Sequence, residues 1–137
     1  MRHLLPMIAA LALPACATVP APGPSVATVA LGEAVRLGPL GVRVIRIVED
    51  SRCPAQVQCI WKGRLVIAVI ADDPAALGRQ GGPNAPATAV AHETTLTLDE
   101  PAKPVLGHRL ALVGATPQPI AGQMMRDDSY RLTLKLD

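Results

Sequence analysis

A chain of 137 residues carrying a formal charge of +2 has room for one domain and, within the same length, a targeting segment. That charge is too small to point to nucleic acid or an anionic membrane surface, and no run of four basic residues occurs. With no Phe, one Trp and one Tyr, a core must be filled by Val, Leu, Ile and Ala, and the many Pro, Gly, Val and Thr favour strands joined by turns.

The first stretch reads as an address. Arg2 precedes an apolar run over residues 4–13, about half of the roughly twenty residues needed to span a bilayer. A signal peptide over residues 1–15 is therefore expected. Leu13-Pro14-Ala15-Cys16 resembles the lipobox of bacterial lipoproteins. That resemblance implies cleavage before Cys16, a diacylglyceryl group on its thiol and an acyl chain such as palmitate on the new N-terminus. The alternative is an ordinary secretory signal cut near Ala15 or Ala17. Ala17 stands after Cys16 where an Asp would signal retention, which implies the outer membrane, facing the periplasm. Residues 16–24 then form a lipidated cysteine and a Pro/Ala tether, and residues 25–137 the folded domain.

From Ser25 onward the pattern is that of strands. Residues 26–31 alternate, and Gly32-Glu33 turns the chain into a short strand over 35–37, broken by Gly38-Pro39. Residues 41–49 form the next strand, but its alternation slips where Ile45 follows Val44. A one-residue slip turns every later side chain to the other face, so a β-bulge is expected near Val44 and Ile45. Residues 64–71 are apolar on both faces, as in a central, covered strand. Residues 75–88, rich in Gly and Pro, read as a long exposed loop. Strands follow over 89–98, 105–113 and 129–136, the last with Tyr130, Leu132, Leu134 and Leu136 facing inward. About seven strands separated by turn signals predict an all-β, antiparallel β-sandwich of immunoglobulin-like type, with a small closed β-barrel as the alternative.

Residues 50–63, DSRCPAQVQCIWKG, are the corner around which the chain is organised. Three cysteines are odd for a secreted chain. With Cys16 lipidated, Cys53 and Cys59 remain as one pair, expected to be a disulfide in an oxidising envelope. Their spacing is not the C-x2-C of zinc or thioredoxin-like sites. Pro54 pre-sets a turn, and Asp50 and Ser51 can accept backbone amides there. Trp61, two residues past Cys59, can cover the disulfide, and its burial is expected because the core has little else that is large. The corner closely resembles the signature Asp-Ser-Arg-Cys-Pro-x4-Cys-x-Trp-x-Gly of a family of uncharacterised bacterial secreted proteins and lipoproteins, matched by Asp50, Ser51, Arg52, Cys53, Pro54, Cys59, Trp61 and Gly63. The resemblance supports the envelope location and the β-rich fold and implies no chemistry.

No catalytic constellation emerges. Asp50, Ser51 and His92 could be imagined as a triad, but Ser51 lacks a nucleophile-elbow context. His92 and His108 lack a recognisable third ligand, so no metal site is assigned and no cofactor is implied. The adjacent carboxylates Asp99-Glu100 and Asp127-Asp128 read as solvated strand ends. Arg52, Trp61 and Lys62 are the candidate partner-binding residues, since Trp and Arg commonly anchor interfaces. The expected role is a non-enzymatic envelope lipoprotein, bound to the membrane through its lipid, that binds an envelope protein or glycan. The alternative is a secreted inhibitor, or a ligand- or metal-sequestering domain, acting through the loop at 75–88.

Overall fold

The computed structural model describes residues 21–73 and 91–137. The signal peptide, Cys16, most of the tether, the loop at 75–88 and the first residues of the strand expected at 89–98 lie outside the described residues.

Two four-stranded antiparallel sheets pack face to face. The strands are β1 (Val26–Ala30), β2 (Ala34–Leu37), β3 (Leu40–Asp50), β4 (Leu65–Asp72), β5 (His92–Thr97), β6 (Lys103–Val105), β7 (His108–Thr116) and β8 (Arg131–Leu136). One sheet has the order β1-β8-β7-β6 and the other β2-β3-β4-β5. The sheets do not close on one another, so the fold is the expected sandwich and not the barrel. Its connectivity is two meanders, the second returning its last strand, β8, to pair with β1.

The core is aliphatic, as a chain without Phe requires. Leu37, Leu40, Val42, Val44, Leu65, Ile67 and Val69 from one sheet meet Leu110, Leu112, Leu132 and Leu134 from the other, all essentially inaccessible. Tyr130 is the one aromatic side chain in this cluster. On β4 the inward residues are buried, whereas Val66 and Ile70 on the outer face are half-buried. Among the described residues no further layer covers that face. Instead Arg46 on β3 reaches Glu93 on β5 at 3.3 Å, and buried Ala68 lies in register between Arg46 and Thr95.

The bulge expected on β3 lies at Ile45: Val44 pairs with Val69 and Arg46 with Ala68, leaving Ile45 as the extra residue. A second shift leaves out Val48. Together they bring Ile47 back against the core after Val44.

The strand expected at 105–113 is instead a hairpin. Leu106 and Gly107 both take positive φ, 49° and 82°, and turn β6 into β7 within two residues. Gly107 suits such a turn, but Leu106 does not announce one; its side chain packs against the core, which offsets the backbone strain. β7 then runs on to Thr116, beyond the expected end, around a bulge at Val113.

The sandwich has two distinct poles. At one, Gly23 N–H donates to Gly38 O (2.8 Å), Gly38 N–H to Pro24 O (3.0 Å) and Leu136 N–H to Ser25 O (2.8 Å). Gly23 and Pro24, assigned to the tether by composition, therefore belong to the folded domain. At the other pole, β3 passes into the Cys53–Cys59 corner. There Leu98 N–H donates to Leu65 O and Asp99 N–H to Leu112 O, tying the two sheets together.

Candidate binding site at the disulfide-closed corner

The neck of the corner continues the β3–β4 ladder. Ser51 N–H donates to Arg64 O (2.8 Å) and Cys53 N–H to Lys62 O (3.2 Å). Gly63 sits in this neck at φ 67°, and a Cβ there would collide with the Ser51 carbonyl. Beyond the neck, Cys53 and Cys59 form the expected disulfide, with their Cα atoms 5.9 Å apart. Asp50 and Ser51 organise the turn: Asp50 Oδ1 accepts the Arg52 backbone N–H (3.3 Å), and Ser51 Oγ accepts that of Arg64 (3.1 Å).

Behind the disulfide lies a polar lock. Arg52 grips Asp50 with both arms of its guanidinium, Nε to Oδ1 at 2.8 Å and Nη2 to Oδ2 at 2.7 Å. Tyr130 Oη donates to the same Oδ2 at 2.8 Å. The guanidinium also donates to the carbonyls of Ala115 (3.4 Å) and Pro117 (3.2 Å), and Ala55 N–H donates to Pro119 O (3.1 Å). The corner is thus docked on the connection leaving β7. Only 11% and 10% of the Arg52 and Asp50 side chains remain exposed.

Burial acts to raise the Asp50 pKa, but the bonds from Arg52 and Tyr130 outweigh it and hold the carboxyl below its usual range. Asp50 raises the Arg52 pKa. Burial and the bond to Asp50 push the Tyr130 phenol up to about 12. On the surface beside them, Arg64 and Ser51 both bond Glu49 and lower its pKa.

The three candidate partner-binding residues do not act together. Arg52 is committed to the lock and its charge is satisfied there. Lys62 is exposed and paired with Asp99 at 2.8 Å. Trp61, expected to be buried, is 78% exposed. The correction has a physical reason: the Leu, Val and Ile of the two sheets fill the core, and Trp61 sits in the corner between the end of β3 and the start of β4, outside both sheets. Ile60 beside it is 99% exposed and Val57 is also open to solvent. Ile120 and Met124 add exposed apolar side chains on the neighbouring loop.

A cleft of about 380 Å³ opens next to this tip, lined among others by Arg52, Lys62, Leu65, Leu98, Asp99 and Ala115. Asp99 holds φ 62° there, an uncommon conformation for a residue with a side chain. The sequence shows Lys62 and Asp99 only as isolated charges. Their meeting depends on the turn after β5 reaching the corner, which no local pattern encodes. The arrangement suits capture of an apolar group with one polar pair at its edge.

The imagined triad is not assembled. Asp50 pairs with Leu65 at one end of β4, whereas His92 pairs with Ala71 at the other. Ser51 Oγ bonds Glu49 and Arg64. His92 and His108 belong to different sheets, and no group of three metal-binding side chains occurs among the described residues. Of the paired carboxylates, Asp99 bonds Lys62 and Asp128 bonds Arg126 at 2.7 Å.

Fold and site define a two-sheet β-sandwich with a stapled, apolar-tipped corner. No protein-family model, curated protein or solved structure matches the chain.

Proposed function

We propose that this chain is a non-enzymatic lipoprotein of the bacterial cell envelope, anchored through Cys16 and binding an envelope partner with the tip of its corner. The observation that carries this reading is the exposure of Trp61 and Ile60 on a loop that the disulfide and the Asp50–Arg52–Tyr130 lock hold in place. A rigid, apolar tip loses little conformational freedom on binding, and Trp is a frequent interface anchor. The lipobox-like Leu13–Cys16 stretch supports the anchor. The resemblance of residues 50–63 to secreted proteins and lipoproteins supports the envelope location. The test is fractionation of cells making the full chain. The wild type should sediment with outer membranes, and Cys16→Ser should move it to the soluble fraction. Unchanged membrane association of Cys16→Ser would remove the anchor from the account.

A further inference from the structure

We infer that the corner docks into an apolar pocket on a protein partner, at the end of the domain that points away from the anchoring membrane. This deepens the reading above and rests on it. The chain enters the sandwich at the pole where Gly23, Pro24 and Ser25 bond Gly38 and Leu136. Ile60 and Trp61 sit at the other pole, beyond the far end of β3. β3 has 11 residues, which at about 3.3 Å each places the two poles roughly 33 Å apart. The seven residue steps from Cys16 to Gly23, the first stitched residue, span at most about 25 Å even when fully extended. That is too short for the domain to invert and set its tip end-on against the anchoring surface. It is also too short to bring the N-terminal segment itself onto Trp61.

Charge narrows the partner further. Each cation of the corner already faces a carboxylate: Lys62 with Asp99 at 2.8 Å, Arg64 with Glu49 at 2.7 Å and Arg52 with Asp50 at 2.7 Å. These pairs leave the corner close to neutral, with no surplus charge to hold an acidic polymer or anionic headgroups. What it offers is exposed Val57, Ile60 and Trp61, with a cleft beside Lys62 that has Leu98 and Ala115 in its lining. Such a surface fits a protein whose own apolar pocket receives the indole.

The test places a photo-reactive phenylalanine analogue at position 60 of the full chain in intact cells, with the same group at position 109, near the tethered pole, as control. The expected result is an adduct at position 60 with one protein, identified by mass spectrometry, and none at 109. The purified partner should bind full-length wild type with an affinity that changes less than about twofold when salt is raised, as an uncharged contact requires. Trp61→Ala should weaken binding at least about tenfold. A lipid adduct, an adduct between two copies of this chain, equal adducts at both positions, no adduct at all, or full binding by Trp61→Ala would each overturn the proposal. The anchor is scored separately. A specific position-60 adduct with Cys16→Ser still on membranes leaves docking standing and the anchor failing. Release of Cys16→Ser without any such adduct does the reverse.

Discussion

Tyr130 donates its phenolic hydrogen to Asp50 at 2.8 Å, joining the residue before β8 in one sheet to the last residue of β3 in the other. Because the acceptor is a charged, largely buried carboxylate, this bond contributes more than a neutral one would. Tyr130→Phe keeps the ring's packing and removes only the bond. It should lower the unfolding free energy by about 1.5–2 kcal/mol in urea titration, without a change in the slope.

The same contact gives stability two pH edges. Asp50 has a depressed pKa, so its contribution is present above the ordinary carboxylate range near pH 4 and is lost as pH falls through its lowered value. Tyr130 has a raised pKa of about 12. Its contribution is complete below the ordinary phenol value near pH 10 and is lost as pH rises from there towards 12. Unfolding midpoints measured across pH should therefore fall at both ends. Tyr130→Phe should lack the alkaline loss that this residue causes.

Arg52 is held by geometry as well as charge, so a lysine cannot replace it. Arg52→Lys keeps the charge but gives up the two-armed grip on Asp50 and the reach to the Ala115 and Pro117 carbonyls. A loss of about 1–2 kcal/mol is expected. Arg52→Met leaves Asp50 without its counter-charge and should cost about 3 kcal/mol. Wild-type stability in Arg52→Lys would show that the fork carries no weight.

Much of the sandwich could be read from alternation alone. Leu132, Leu134 and Leu136 face the core as their spacing demands, and the slip at Ile45 revealed its bulge because an apolar residue broke step. The β6–β7 hairpin was hidden because Leu106 is a poor turn residue held in place by tertiary packing. The Cys53–Cys59 disulfide is legible from counting cysteines, since their spacing suits neither a zinc nor a thioredoxin-like site. Trp61 shows that size alone does not dictate burial: it stands in the corner outside both sheets, which the aliphatic side chains fill without it. The outer partners of the Asp50–Arg52 pair are illegible for a related reason: Ala115, Pro117 and Tyr130 are far away in sequence, and two of them contribute only backbone carbonyls.

Gly63 is required by both its conformation and its neighbour. Gly63→Ala places a Cβ at positive φ and against the Ser51 carbonyl. Strain of this kind costs about 1–3 kcal/mol. The neck should open in response, and hydrogen exchange at the Ser51 and Cys53 amides should quicken.

The disulfide closes a ring of about seven residues, for which loop entropy gives roughly 2–2.5 kcal/mol. Cys53→Ser with Cys59→Ser should lower stability by about that much while β3 and β4 stay paired, because the lock on Asp50 lies outside the ring. Thermal unfolding of the oxidised protein and the double variant measures it.

The central claim is that the corner is fixed to the domain while its apolar tip faces solvent. Trp61 is the only tryptophan in the chain, so its fluorescence reports on the tip alone. Iodide quenching of the native, oxidised protein tests the claim most directly. The account predicts quenching close to that of free tryptophan, together with a change of no more than about 0.5 kcal/mol in stability for Trp61→Ala. Emission shielded from iodide in the folded protein and exposed only on unfolding would contradict it.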